Sequence, residues 1–142
     1  MKKVLLITIL LLTTVSAVEE REYPVDKIKE KNREIIKMVV KEISKDLPQQ
    51  VDKYTTMKKI RDENLTLIYT FEINTGVKND KTVIKEDKPR MQKAISRGIC
   101  QSSKRFLEAG ISLSYEYMSA STKKELFTFT MNQKKCKELK YD

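Results

Sequence analysis

From Pro24 onward, apolar residues recur at spacings of three and four. Ile28, Ile35, Ile36, Val39, Val40, Ile43 and Leu47 share one helical face. Pro24 or Asp26 can open that helix, and Pro48 stops it. The period then changes to two. Tyr54 to Arg61 reads as a weak strand, and in "LTLIYTFEI" Leu65, Leu67, Tyr69, Phe71 and Ile73 alternate with Thr66, Ile68, Thr70 and Glu72. Polar residues from Asp62 to Asn64 make the pair a hairpin. The charged stretch "VKNDKTVIKEDKP" reads as a loop, with at most a short element at Val83 and Ile84.

Helical spacing returns from Asp87 to Ala109 through Met91, Ile95, Ile99, Phe106 and Leu107, and Gly110 suits a left-handed C-terminal cap. "ISLSYEYMS" and "ELFTFTM" are two further strands joined by the polar turn "ASTKK". Ile111, Leu113, Tyr115, Tyr117, Phe127, Phe129 and Met131 are placed on the core side. The order helix, strand, strand, helix, strand, strand predicts an α+β fold. Its sheet would have four antiparallel strands with the helices on one face.

The beginning of the chain adds a location. Lys2 and Lys3, an apolar run from Val4 to Leu12, and Val15-Ser16-Ala17 have the layout of a secretory signal peptide over residues 1–17. The apolar run is far short of the roughly 20 residues that cross a bilayer. After cleavage no membrane span is expected. The expected organisation is therefore a signal peptide at 1–17, an N-terminal amphipathic helix at 18–50 and a disulfide-linked α+β domain at 51–142. The whole chain carries 29 basic and 20 acidic residues, a net charge of +9. Cleavage would remove two of the lysines, and the remaining excess favours acidic partners as well as plain solubility.

Export bears on the two cysteines. In an oxidising compartment Cys100 and Cys136 are expected to pair, the alternatives being an intermolecular bridge or a free thiol. A His-containing zinc site is excluded because the chain has no histidine. That absence also removes the commonest general base. Ser121-Thr122-Lys123-Lys124 matches S-x-x-K, but it falls in a polar turn without the companion motifs of serine acyl-enzymes. Glycines only at 76, 98 and 110 leave no phosphate-binding glycine loop. No catalytic residue, cofactor or metal is assigned, and the chain is read as a binding protein and not an enzyme.

Three surfaces stand out. Residues pointing away from the helices would be Thr66, Ile68, Thr70, Ser112, Ser114, Met118, Thr128 and Thr130, a hydroxyl-rich patch suited to protein docking. Lys29, Arg33, Lys37, Lys41 and Lys45 form a basic row on the first helix, and Lys134, Lys135, Lys137 and Lys140 form a basic tail. These could contact a polyanion, although an acidic row beside the first set cancels much of its field, and no aromatics interleave the lysines for base stacking. Asn64-Leu65-Thr66 is a glycosylation sequon, with Asp62 two places before the asparagine.

Taken together, "LPQQVDKYTTM", "NLTLIYTFEI", "GICQSSKRFLEAGISLSYEYMS" and "LFTFTMNQKKC" resemble a pattern of short exported proteins of Gram-negative bacteria that have no assigned function. The resemblance runs from about Leu47 to Cys136, leaves the first helix outside, and implies a periplasmic or secreted location and paired cysteines. It carries no catalytic residue. The expected function is a periplasmic, non-catalytic accessory protein that docks an envelope protein through a strand face or edge, with a homodimer admitted. The alternative is a charge-driven binder of anionic envelope polymers or nucleic acid.

Overall fold

A computed structural model describes residues 24–141. The expected signal peptide lies outside the described residues. Helix α1 runs Val25–Ser44, shorter than its apolar pattern by a turn at the proline end. Strand β1 is the two-residue Gln49–Gln50, followed by β2 (Thr55–Glu63) and β3 (Thr66–Ile73). Three helices follow, α2 (Asp80–Glu86), α3 (Lys88–Ser102) and α4 (Lys104–Glu108), then β4 (Ser112–Ser119), β5 (Glu125–Met131) and α5 (Gln133–Glu138).

The sheet order is β1-β2-β3-β4-β5. Neighbours are antiparallel except β3 and β4, which run parallel, Leu67 opposite Leu113 and Phe71 opposite Tyr117. The four-stranded, fully antiparallel sheet is thus corrected to five strands and a mixed sheet. The reason lies between the central strands. A parallel pair needs a crossover long enough to carry the chain back to the starting end, and α2 to α4 supply it.

The stretch read as a loop contains α2, capped by the Asn79 side chain accepting from the Thr82 amide at 2.9 Å. Likewise Asn132 caps α5 by accepting from the Lys135 amide at 2.8 Å, so the chain after β5 is helical. The single helix expected from Asp87 to Ala109 is two, parted at Ser103. Gly110, at φ 88°, ends α4 in the left-handed region.

The helices cover one face of the sheet. Ile60, Leu67, Leu113 and Met131 from four strands are buried with Ile36 of α1, Ile99 and Cys100 of α3, and Leu107 of α4. A second cluster joins Phe71, Tyr117, Phe127 and Phe129 to Val83 of α2. Tyr117 pairs with Phe127 but Met118 with Glu125, so Leu126 is an extra residue in β5 and is buried beside Phe127. Cys100 and Cys136 are bonded to each other and buried. The bond joins α3 to α5. The first helix packs on its own chain: the Asn32 side-chain amide donates to the Ala109 carbonyl at 2.7 Å, beside the buried Ile36.

Candidate docking groove

Helix α1 leans on β2 and α3 on β5. Around Asn32 and Ile36 the core is filled: Asn32 donates to the Ala109 carbonyl after α4, and Ile36 is buried in one cluster with Ile99 of α3. Toward the other end of the sheet one wall is β1 and the following turn, with Gln49 and Val51, together with Met57 of β2. Met91, Ala94 and Ile95 of α3 face it. The floor between is aromatic: Tyr69, Phe71, Tyr115 and Tyr117. This cleft has a volume of about 540 Å³. It shares Asp52, Thr55, Arg90 and Met91 with a second cleft of about 680 Å³ that continues past Tyr54, Ile73 and Val83 to the loop at Gly76.

The floor is stiff. Tyr69 and Tyr115 have ring centroids 5.2 Å apart, as do Phe71 and Tyr115, and Phe71 stacks on Tyr117 at 5.1 Å. Among the described residues the phenols of Tyr69, Tyr115 and Tyr117 have no hydrogen-bond partner, yet no fully buried polar atom is left unsatisfied. The hydroxyls therefore open toward the groove. Burial pushes Tyr69 up to about 12, with a smaller effect from neighbouring Tyr115. Burial also raises Tyr115, and it raises Tyr117 further, helped by Tyr115 and the Asp52 carboxylate. All three are neutral donors at physiological pH.

Charge is confined to the rim. The Asp52 carboxylate accepts from the amides of Tyr54 and Thr55, both at 2.8 Å, and shapes the turn. Lys53 lies over the Tyr54 ring, 5.4 Å from its centroid. Asp87 holds Lys78 at 3.2 Å and Arg90 at 3.5 Å. The result is an apolar trough with a few donors in its floor and paired cations along one end. It can bury a partner's apolar side chains and hydrogen-bond its carbonyls. Among the described residues no cluster of His, Cys, Asp or Glu could hold a metal ion.

The residues expected on the opposite face are brought together there. Thr66 stands beside Ser112, Ile68 beside Ser114, and Ser114 beside Thr130 with their hydroxyls 2.8 Å apart. The face is not free of charge, however. Glu116 sits at its centre, opposite Thr70 and Thr128, and receives two bonds from Arg61 at 2.9 and 2.7 Å and one from Thr70 at 3.0 Å. Arg61 in particular holds the Glu116 carboxyl below its ordinary range. Ile68 and Ser114 are buried under these neighbours.

The basic residues are split between two helices. Lys29, Arg33, Lys37, Lys41 and Lys45 lie on α1, where Lys45 pairs with Glu42 at 2.6 Å. Lys134, Lys135 and Lys137 lie on α5, and Lys140 follows it; Lys134 approaches Glu138 at 3.9 Å and Lys135 donates to the Thr130 carbonyl at 3.0 Å. Asn64 is exposed at the β2–β3 turn.

Sequence reasoning placed the groove tyrosines in the core and went no further. The signal was the density of phenols on one face of β3 and β4, since a sealed core would need a partner for each hydroxyl.

The family described as Domain of unknown function (DUF8479) matches residues 31–127. The chain belongs to that family. The DUF8479 match begins within α1 and ends in β5, so the first helix, which the sequence resemblance left outside, contributes to the domain. No curated protein matches the chain. Solved structures share its fold. A protein of Pseudomonas aeruginosa described as secreted superposes with a TM-score of 0.66 at 14% identity, over 77% of this chain and 96% of that one. EpsS, the pilotin of the Vibrio vulnificus type 2 secretion system, gives 0.64 at 12% identity over 78% and 96%. AspS, a type II secretion pilotin of Vibrio cholerae, gives 0.58 at 15% over 78% and 97%. At such identities the shared property is the fold of this DUF8479 protein.

Proposed function

We propose that the protein is a non-catalytic docking protein of the cell envelope, and that it takes an apolar segment of an envelope protein into the groove between β1–β2 and α3. The observation that carries this reading is the aromatic floor with three phenol donors facing an open trough. A closed core would not leave such donors facing an opening, and a solvent-exposed face would not normally be so rich in aromatics. Large rigid aromatics in a concave site are the usual anchors of protein recognition. The reading is supported by two fold neighbours that are pilotins of secretion systems, and by the sequence at residues 1–17. Among the described residues no helix is long and apolar enough to cross a membrane.

The groove is favoured over the opposite sheet face because the latter's centre is occupied by the Arg61–Glu116 pair, whose groups already satisfy one another. It is favoured over polyanion binding because the two basic sets lie on different helices, with several of their members engaged.

The test places a photo-crosslinking amino acid at Ala94, an exposed position on the groove wall, or at Thr128 on the opposite face, in full-length protein exported in its native cells. A discrete adduct from Ala94, lost when Met91→Lys is added, is the expected result. Adducts from Thr128 alone would transfer the docking role to the other face.

A further inference from the structure

The motif Asp62-Glu63-Asn64-Leu65-Thr66 is not used by the groove, and the structure gives it an unusual setting. Asn64 and Leu65 are the two central residues of the β2–β3 turn, with φ of 45° and 61°. Both left-handed values are characteristic of the tight two-residue hairpin. Asn is well suited to the first of these positions. The Asn64 side chain is exposed at the tip, and among the described residues its carboxamide takes no part in hydrogen bonding within the fold.

We infer that Asn64 accepts an N-linked oligosaccharide in the exported protein, and that the transfer takes place before the β2–β3 hairpin closes. Asn-x-Thr is the acceptor signal, and Asp62 supplies the acidic residue two places earlier that some bacterial transferases use in addition. The donor is an oligosaccharide carried on a lipid pyrophosphate. The Asn64 Nδ2–C1 bond to the sugar forms, the sugar C1–O bond to pyrophosphate breaks, one amide proton passes to a base of the transferase, and the lipid pyrophosphate leaves.

The order of events follows from the backbone. A transferase must hold Asn64 and the Thr66 hydroxyl together in its own site. In the folded protein Thr66 is already the first residue of β3, paired with Glu63 on one side and Ser112 on the other. Leu65 packs against the core, and its carbonyl accepts from the Ser112 amide at 2.9 Å. Releasing the sequon from this state would break central-sheet pairing. Once attached, the glycan projects from the outermost point of the tip and needs no backbone change. The groove opens near Thr55 and Ile73, at the other ends of the same strands. Measured from Thr66, the groove floor begins at Tyr69, about 10 Å along β3, and runs away from the tip toward Ile73.

The experiment expresses the full chain with its leader in a bacterium whose periplasm contains an oligosaccharyltransferase and its lipid-linked donor, and reads the intact mass. The expected result is an added mass of one glycan, absent with an inactive transferase, in Asn64→Gly, and in Thr66→Val. Glycine accepts the positive φ and valine is a good strand residue, so both variants retain the hairpin. Only unmodified protein, in cells where a control acceptor is modified, would overturn the site. A second arm gives the same transferase the purified, oxidised protein beside a free peptide of residues 60–68. Modification of the folded protein at least about tenfold slower than the peptide is expected; equal rates would overturn the order of events.

Discussion

Glu116 shows how one residue changes the character of a surface. Without it the outward face of β3 and β4 is a row of small hydroxyls, and with it the same face holds a two-bonded ion pair supported by Thr70. Both partners are partly exposed, which limits the pair to about 1 kcal/mol or less. Its pH dependence has a definite sign. Because Arg61 holds the carboxyl below its ordinary value, the stabilisation is complete above the unfolded-chain pKa of about 4.3 and is lost as pH falls through the lower folded value. Glu116→Gln should therefore lower the urea midpoint at pH 7 and converge with the parent toward about pH 2. A gap that stays constant across this range would contradict the assignment. The eight face residues were legible from alternation alone, whereas the pairing was not, because Arg61 is 55 positions away in sequence.

Among elements, the periodic ones were readable and the crossover was not. The helix α1, the strands β3, β4 and β5, and the cap at Gly110 follow from spacing and from the backbone freedom of glycine. Helix α2 is only seven residues long with one buried side chain, Val83, so it leaves almost no period to read. Strand β1 is two exposed glutamines and exists only because β2 offers an edge. Two glycines make the backbone argument testable. A Cβ at Gly110 or at Gly98 would meet no atom within 4 Å, so neither substitution is decided by space. Gly110 has φ 88° and Gly98 lies inside α3 with no such requirement. Gly110→Ala should destabilise by about 1 kcal/mol. Gly98→Ala should stabilise by about 0.5 to 1 kcal/mol. Thermal melts of the two variants should move in opposite directions, and parallel shifts would show that the left-handed cap is not needed.

At the scale of the molecule the disulfide and the groove have separate tasks. The bond closes a loop of 36 positions on the filled side of the core, against Leu107 and away from the aromatic floor. In the chain-entropy view such a loop contributes about 4 kcal/mol. Replacing both cysteines by alanine avoids leaving a buried hydroxyl, and it should lower denaturant stability by about that amount while leaving an adduct from Ala94 intact under conditions where the variant is still folded. Loss of that adduct in folded variant protein would mean that the bond also shapes the groove. The groove itself lies between β1–β2 on one side and α3 on the other. Aromatic rings fill the sheet side of the gap, and among the described residues no helix closes it from above.

Spacing and composition by themselves determined which residues could be helix or strand, which side of each strand is apolar, and that Cys100 and Cys136 would be partners. These are local or compositional properties, set by residue period and by redox environment. Only the tertiary structure decided that β3 and β4 lie parallel, that α1 belongs to the same core, and that Tyr69, Tyr115 and Tyr117 line an opening. Each depends on where a helix settles relative to strands distant in sequence. An inward-facing tyrosine has the same pattern whether the helix above it closes the core or stands aside.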